Sequence, residues 1–220
     1  SFDNISDDLG STPELTNLIS YVPVWNSWSI AGLDEDGEII SIFKQPGVQE
    51  DWAMFNLSDI ASTPALEGGL TAILTSWSGI NLTGLDSDGN VIVTWWVPDF
   101  GGNWVNNNLT TDSGGPALTG GVTLTGYYTS WDAMNYAGYD ADGNLYIYWW
   151  VPGFANWVAS DITEDAGGPT PTGDLSSHVS VASSLNIFGV DDDGNAIRTY
   201  WEPGFSNWVV ENLTDDAIRS

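Results

Sequence analysis

The sequence predicts an all-β fold, a β-propeller built from four repeats of about 52 residues, each forming a four-stranded sheet. Two observations carry this prediction. A phrase of glycine, an aliphatic or aromatic residue and Asp-x-Asp-Gly occurs at 32–37, 84–89, 138–143 and 189–194. Its copies lie 52, 54 and 51 residues apart. Short runs rich in β-branched and aromatic residues fill the intervals, which is typical of strands.

Other positions keep the same period. A proline stands nine residues after each closing glycine, at Pro46, Pro98, Pro152 and Pro203. A tryptophan follows after 14 or 15 residues, at Trp52, Trp104, Trp157 and Trp208. Seven residues before each first glycine stand Trp25, Trp77, Trp131 and, in the fourth copy, Ala182. Agreement at several separate positions indicates true repeats rather than a bias of composition.

The third repeat shows how one copy divides into strands. Its residues predict strands at 122–131, 133–139, 145–151 and 157–163, followed by a linker at 164–173. The Asp-x-Asp-Gly turn suits a hairpin, because aspartate caps its own turn and glycine takes a positive φ. No stretch has a helical period of useful length. We therefore predict a single domain with repeats at about 18–69, 70–121, 122–174 and 175–220.

The first residues repeat a later part of the blade. Asn4-Ile5-Ser6-Asp7-Asp8 matches Asn212-Leu213-Thr214-Asp215-Asp216, so 1–17 is interpreted as a partial outer strand and its linker. Three arrangements remain open: a four-bladed ring, a piece of a longer array, or two chains that complete one larger ring. The four-bladed ring is favoured, since four repeats can close a small propeller.

The charge balance excludes several classes of partner. Thirty Asp and Glu oppose three Lys and Arg, which gives a net charge of −27. Nucleic acids and anionic membranes both require cations that this chain lacks. With 42% hydrophobic residues, 13 tryptophans and no cysteine, the sequence predicts a folded domain without disulfides. Part of the acidity comes from copying the aspartate turn, and the remainder is assigned to a saline habitat or to a partner.

Membrane insertion and an intact leader are not expected. No apolar stretch approaches the length that crosses a bilayer. The first residues do not resemble a signal peptide, so secretion would imply that a leader has been removed.

The repeat motif resembles that of tryptophan-rich lectin propellers. Gly143-Asn144-Leu145-Tyr146-Ile147-Tyr148-Trp149-Trp150, followed by Asn156-Trp157-Val158, is similar to repeats of the tectonin and bacterial PLL-type lectins. The resemblance covers all four repeats. One difference is that these copies close with Asn-Leu-Thr or Asp-Ile-Thr rather than with a Gly-Gly pair. The resemblance implies glycan recognition on the blade loops or between blades.

Aromatic pairs are the first candidate ligand residues. They stand six and seven residues after the turn glycine, at Phe43-Lys44, Trp95-Trp96, Trp149-Trp150 and Tyr200-Trp201. Successive strand residues face opposite ways, so each pair places one side chain on either face. Such rings either fill the wedge between blades or stack on sugar faces. The predicted ligand residues are Trp96, Trp150 and Trp201, whereas Lys44 replaces the ring in the first copy.

Asparagine recurs at one position of the repeat, close to these rings. Asn81, Asn135 and Asn186 stand three residues before the first glycine, with Ser29 in the first copy. We predict that the three amides bind ligand, although such amides also satisfy neighbouring backbone groups.

The paired aspartates are candidate calcium ligands, because alternating carboxylates open many calcium loops. The eight residues are Asp34, Asp36, Asp86, Asp88, Asp140, Asp142, Asp191 and Asp193. None of the copies has the further acidic positions of a complete loop, so turn capping is the competing interpretation. No cofactor is otherwise indicated.

Catalysis and glycosylation receive little support. His178 stands alone without cysteine or an activated serine motif, so a structural role is favoured. Four of the five Asn-x-Ser/Thr sequons share one repeat column, which favours a structural origin.

These features together predict a non-catalytic extracellular binding propeller, secreted or at the cell surface, that recognises carbohydrate by repeated aromatic and polar sites. The alternative is a protein-interaction or structural module of a surface adhesin, and a glycoside hydrolase is a distant third. Partners are therefore glycans or a surface protein, and the oligomeric state is not predicted.

Overall fold

Four antiparallel sheets of four strands make up the structure, a computed structural model that describes residues 4–98, 101–119, 124–168 and 171–215. In every sheet the strands lie side by side in chain order. The prediction of four four-stranded repeats is therefore confirmed.

The strand bounds are as follows. The first sheet contains β1 (Thr16–Tyr21), β2 (Trp28–Leu33), β3 (Ile39–Gln45) and β4 (Gln49–Asn56). The second contains β5 (Leu66–Leu74), β6 (Ile80–Asp86), β7 (Val91–Trp96) and β8 (Val105–Asn108). The third contains β9 (Thr125–Tyr128), β10 (Met134–Tyr139), β11 (Leu145–Trp150) and β12 (Val158–Asp161). The fourth contains β13 (Ser176–Val179), β14 (Leu185–Val190), β15 (Ala196–Trp201) and β16 (Val209–Asn212).

The sheets pack face to face through three separate hydrophobic cores. The innermost strands β1, β5, β9 and β13 contact one another in that order. Each core lies between two neighbouring sheets, and Leu82, Tyr136 and Ile187 are fully buried in the first, second and third core. Both faces of the second and third sheets are thus covered, which is why their strands are aromatic and aliphatic on successive residues.

The outer faces of the first and fourth sheets are less covered. Leu33, Leu85 and Tyr139 are buried at the end of the second strand of their sheets, whereas Val190 at the same position of the fourth is 46% exposed. Trp28 of the first sheet is 50% exposed. Among the described residues, no packing of comparable extent joins β13 to β1. The size of a complete ring therefore stays a prediction.

Sequence reasoning missed four short helices, of which one precedes β1 and the other three each follow the outer strand of a sheet. They are α1 (Ile5–Leu9), α2 (Leu57–Ala61), α3 (Leu109–Ser113) and α4 (Ile162–Ala166). The expectation of a partial outer strand at the N-terminus was wrong, because that matching segment is helical. The strand predicted at 157–163 likewise ends at Asp161, and the predicted linker 164–173 begins inside α4. Five residues are too few to show a helical period.

The first predicted strand of the third repeat also differs in length. Residues 122–131 were predicted to be extended, but β9 covers only Thr125–Tyr128. Thr129 then opens a turn in which its backbone N–H binds the carbonyl of Ala133 at 2.9 Å. Residues 122 and 123 lie outside the described part of the chain.

The repeated Asn-x-Ser/Thr sequence is explained by these helices. The Oδ1 atom of Asn56 accepts the backbone N–H of Asp59 at 2.9 Å, which caps α2. The buried Oγ of Ser58 accepts the backbone N–H of Ile39 at 2.9 Å. The equivalent bonds from strand N–H to threonine hydroxyl are Val91 to Thr110, Leu145 to Thr163 and Ala196 to Thr214. The column is therefore structural, as expected, although it serves a helix rather than a strand.

Candidate ligand-binding grooves between the sheets

Three grooves open between neighbouring sheets, at the end where the first strand of a sheet leads into the second. The first groove, between the first and second sheets, has a volume of about 520 Å³. The second, between the second and third sheets, has about 460 Å³, and the third, between the third and fourth, about 300 Å³. Volumes of this size suit small ligands.

Tryptophan is concentrated in these grooves. Eleven of the thirteen tryptophans line them, and only Trp28 and Trp52 do not. The first groove contains Trp25, Trp96 and Trp104, the second Trp77, Trp95, Trp150 and Trp157, and the third Trp131, Trp149, Trp201 and Trp208. The rings therefore border open cavities as well as filling the space between sheets.

One edge-to-face ring pair recurs in all three grooves. Trp25 meets Trp96 with ring centroids 5.4 Å apart. Trp77 meets Trp150 at 6.4 Å, and Trp131 meets Trp201 at 6.3 Å. Each pair joins a loop of one sheet to the third strand of the next, so Trp96, Trp150 and Trp201 lie in grooves and are held by a partner ring.

Both members of this pair are replaced at the open ends of the array. Lys44 occupies the strand position on the first sheet, and Ala182 occupies the loop position on the fourth. A boundary between these two ends would therefore lack the ring pair that the three grooves share.

In the second and third sheets the two members of the aromatic pair face different grooves. Trp96 lines the first groove and Trp95 the second, so the predicted alternation of faces is confirmed. Trp95 donates its indole N–H to Oδ1 of Asn107 at 2.8 Å. In the third groove Trp149 donates to the Oγ of Ser160 at 3.1 Å. These hydrogen bonds fix the planes of the two tryptophan rings that form part of the groove walls.

The predicted asparagines separate into two environments. Asn81 lines the second groove and Asn135 the third, each buried, while Ser29 takes this position in the first. The amide of Asn81 donates to the carbonyl of Ile73 at 3.3 Å, and that of Asn135 to the carbonyl of Ala133 at 3.2 Å. Both amides thus satisfy backbone groups at the groove wall, and their ligand role stays a prediction.

Asn186 lies instead on the open face of the fourth sheet, within a polar cluster. Its Oδ1 accepts the Nε–H of Arg198 at 2.8 Å. Arg198 also pairs with Glu211 at 3.1 Å and covers the ring of Tyr200 at 3.8 Å. His178 stacks on Phe188 nearby, with centroids 5.3 Å apart.

Sequence reasoning missed this cluster. Arg198 stands four residues after its turn glycine, where the other sheets have Ser41, Val93 and Ile147. The sequence did contain a signal, because Arg198 is one of only three basic residues and occupies a repeat position that is otherwise small or aliphatic. Its pairing with Glu211 depends on the register between β15 and β16, which places the two residues opposite each other.

The predicted calcium ligands lie at the other end of the sheets. Asp86 stands five positions after Asn81 along the extended strand β6, which corresponds to about 16 Å. In each turn the first aspartate accepts backbone N–H groups; for Asp86 these come from Asp88 at 3.0 Å and Asn90 at 2.8 Å. Turn capping by Asp34, Asp140 and Asp191 has the same form.

Hydrogen bonding also holds two of these carboxylates in the charged form. The side chain and backbone of Asn195 lower the pKa of Asp191. Partial burial opposes the effect at Asp140, yet hydrogen bonds led by Asn144 still lower its pKa. In the described part of the chain no group of three or more His, Cys, Asp or Glu is placed to hold a metal ion. Calcium binding at the turns stays a prediction.

Comparison with solved structures identifies the architecture. The chain is similar to AofleA from Arthrobotrys oligospora, with a TM-score of 0.64 and 14% identity, covering 92% of this chain and 61% of that one. It is similar to the fucose-specific lectin from Aleuria aurantia, with a TM-score of 0.62 and 15% identity, covering 91% of this chain and 61% of that one. The fold is that of a β-propeller. The Aleuria protein is described as a six-bladed β-propeller.

A bacterial protein shares the same architecture. A lectin from Burkholderia pseudomallei matches with a TM-score of 0.67 and 16% identity, covering 87% of this chain and 53% of that one. The chain therefore spans less than two thirds of the length of these structures. At the sequence level, no known family and no curated protein matches it.

Among the described residues, no helix is long and apolar enough to cross a bilayer.

Proposed function

We propose that this protein is a non-catalytic glycan-binding propeller whose ligands occupy the grooves between sheets. The observation that carries the proposal is the placement of eleven of thirteen tryptophans along three open grooves. An interior filled only for stability would bury these rings in closed cores, whereas here they border solvent-accessible space.

The groove chemistry suits a neutral sugar. Aromatic walls stack on the C–H faces of a pyranose, and a few amide or hydroxyl groups can bind its hydroxyls. No charged side chain lines any of the three grooves in the described chain. Because the whole protein carries a net charge of −27, acidic glycans are repelled as they approach.

The exposed face of the fourth sheet offers a further position for sugar hydroxyls. The guanidinium of Arg198 supplies donors, the carboxylate of Glu211 supplies acceptors, and the ring of Tyr200 supplies an apolar surface. Similarity to a lectin described as fucose-specific makes fucosides the first ligands to test. Secretion or surface display is part of the proposal, since glycans are presented outside cells.

Titration calorimetry with a panel of neutral methyl glycosides, beginning with methyl fucoside, tests the proposal. Trp150→Ala removes one wall of the second groove and is expected to reduce the number of bound sugars by one. Ala141→Ser, in the exposed turn at the opposite end of the same sheet, gives the third sheet the residue of the second and is the matched control, which should bind like the wild type. Absence of binding by any neutral glycoside would refute the proposal.

Two further experiments test the calcium site and the protein-interaction alternative. Repeating the titration with a chelator tests calcium at the turns, because sugar binding that survives chelation excludes a calcium requirement. Capture of a surface protein that persists after enzymatic removal of its glycans would favour the protein-interaction module.

A further inference from the structure

The first groove differs from the other two in the distribution of polar groups. At two positions of its floor the second and third grooves have an amide and an aliphatic side chain, namely Asn81 with Val93 and Asn135 with Ile147. The first groove has Ser29 and Ser41 at these positions. Its floor is therefore lined by small hydroxyls, and its volume is the largest of the three.

Four hydroxyl groups form this floor. Ser27 and Ser29 lie 3.1 Å apart through their Oγ atoms, and the hydroxyl of Tyr21 lies 3.4 Å from the Oγ of Ser41. All four side chains belong to residues that are at least nine-tenths buried. A hydroxyl donates one hydrogen bond and accepts two, so the two pairs retain the capacity to bind further hydroxyls.

The rim of the first groove is apolar where its counterparts are polar. Phe55 replaces Asn107 and Ser160 of the other grooves, and it is 45% exposed. Ile60 of α2 is 51% exposed and stands where α3 and α4 carry Asp112 and Asp165. Phe55 stacks on Phe43 at 5.7 Å, which extends the aromatic wall from the floor to the rim.

Exposed apolar side chains of this kind indicate a site of contact. From the hydroxyl floor and the apolar rim, we infer that the first groove binds a neutral glycoside with an apolar aglycone, its sugar hydroxyls on the floor and its alkyl or aryl group against Phe55 and Ile60. The saccharide part of this inference rests on the proposed function. The aglycone part rests on the rim, which the second and third grooves lack.

The test compares methyl and hexyl glycosides of one sugar, both below micellar concentrations, by titration calorimetry. The wild type is expected to bind the hexyl glycoside about tenfold more tightly, which burial of about two methylene groups can supply. The double variant Phe55→Asn/Ile60→Asp gives the first sheet the residues that the second sheet has at these positions, Asn107 and Asp112. The same backbone accepts these side chains there, so we expect the variant to fold. It should lose the tenfold preference while still binding the methyl glycoside.

The matched control is Met54→Asn, which removes an exposed apolar side chain from the opposite face of the same strand and should leave the preference unchanged. Near-ultraviolet circular dichroism of the tryptophans verifies that each variant is folded. Equal affinity of the wild type for methyl and hexyl glycosides overturns the inference and leaves the proposed function standing. Hexanol binding as tightly as the hexyl glycoside overturns the role of the hydroxyl floor. Failure of every glycoside to bind overturns both proposals.

Discussion

Removing one buried hydroxyl should destabilise the protein by a measurable and predictable amount. The Oγ of Ser58 accepts the N–H of Ile39 at 2.9 Å, and both residues are buried. Ser58→Ala leaves that N–H without an acceptor in a site where water does not replace it. An unsatisfied buried donor costs about 1–3 kcal/mol.

The chain itself supplies the matched control. The other three sheets carry threonine at this position and make the same bond, so Ser58→Thr retains the acceptor. Urea unfolding followed by tryptophan fluorescence measures both variants. A loss below about 0.5 kcal/mol in Ser58→Ala, at an unchanged dependence on urea, would refute the reasoning, since it would mean that the N–H finds another partner.

Three further outcomes are expected. Gly89→Ala should destabilise the protein more than Gly143→Ala, although both glycines have a positive φ, 77° and 82°. A Cβ on Gly89 would overlap the carbonyl of Leu118, whereas a Cβ on Gly143 meets open space. In urea unfolding, Gly143→Ala should therefore cost only the backbone strain of about 1 kcal/mol. Burial raises the pKa of Tyr148 to about 12 and also raises those of Tyr127 and Tyr136, so the unfolded state releases these protons at a lower pH than the folded state does. The urea midpoint should therefore fall from pH 10 to pH 12 and be level between pH 7 and pH 9. The melting temperature should rise between 10 mM and 1 M NaCl, because salt screens the repulsion within a net charge of −27, and a flat profile would exclude a role of saline conditions.

The repeated parts of the fold could be predicted from the sequence because they depend on local signals. The Asp-x-Asp-Gly turns and the aromatic runs specify each hairpin within a few residues, so the four sheets follow from the period. The helices escaped prediction since each has only five residues and begins at an asparagine or aspartate cap that also suits a turn. Their presence depends on side-chain capping and on packing against the next sheet.

The grooves could be predicted only in part, since each is made by two sheets. Trp96, Trp150 and Trp201 were identified from their position near a strand end. Their partners Trp25, Trp77 and Trp131 were recognised as repeat markers but not as wall residues, because the contact crosses between sheets. The Arg198 and Glu211 pair likewise depends on strand register.

The most direct test of the account is a two-dimensional ¹⁵N–¹H spectrum of the tryptophan indole groups during titration with the neutral glycoside that binds best. Eleven of thirteen indoles lie in grooves, and Trp28 and Trp52 serve as internal controls. The account predicts shifts among the groove indoles, with the signals of Trp28 and Trp52 unchanged. Saturable shifts confined to Trp28 and Trp52, or binding that leaves every groove indole unmoved, would contradict it.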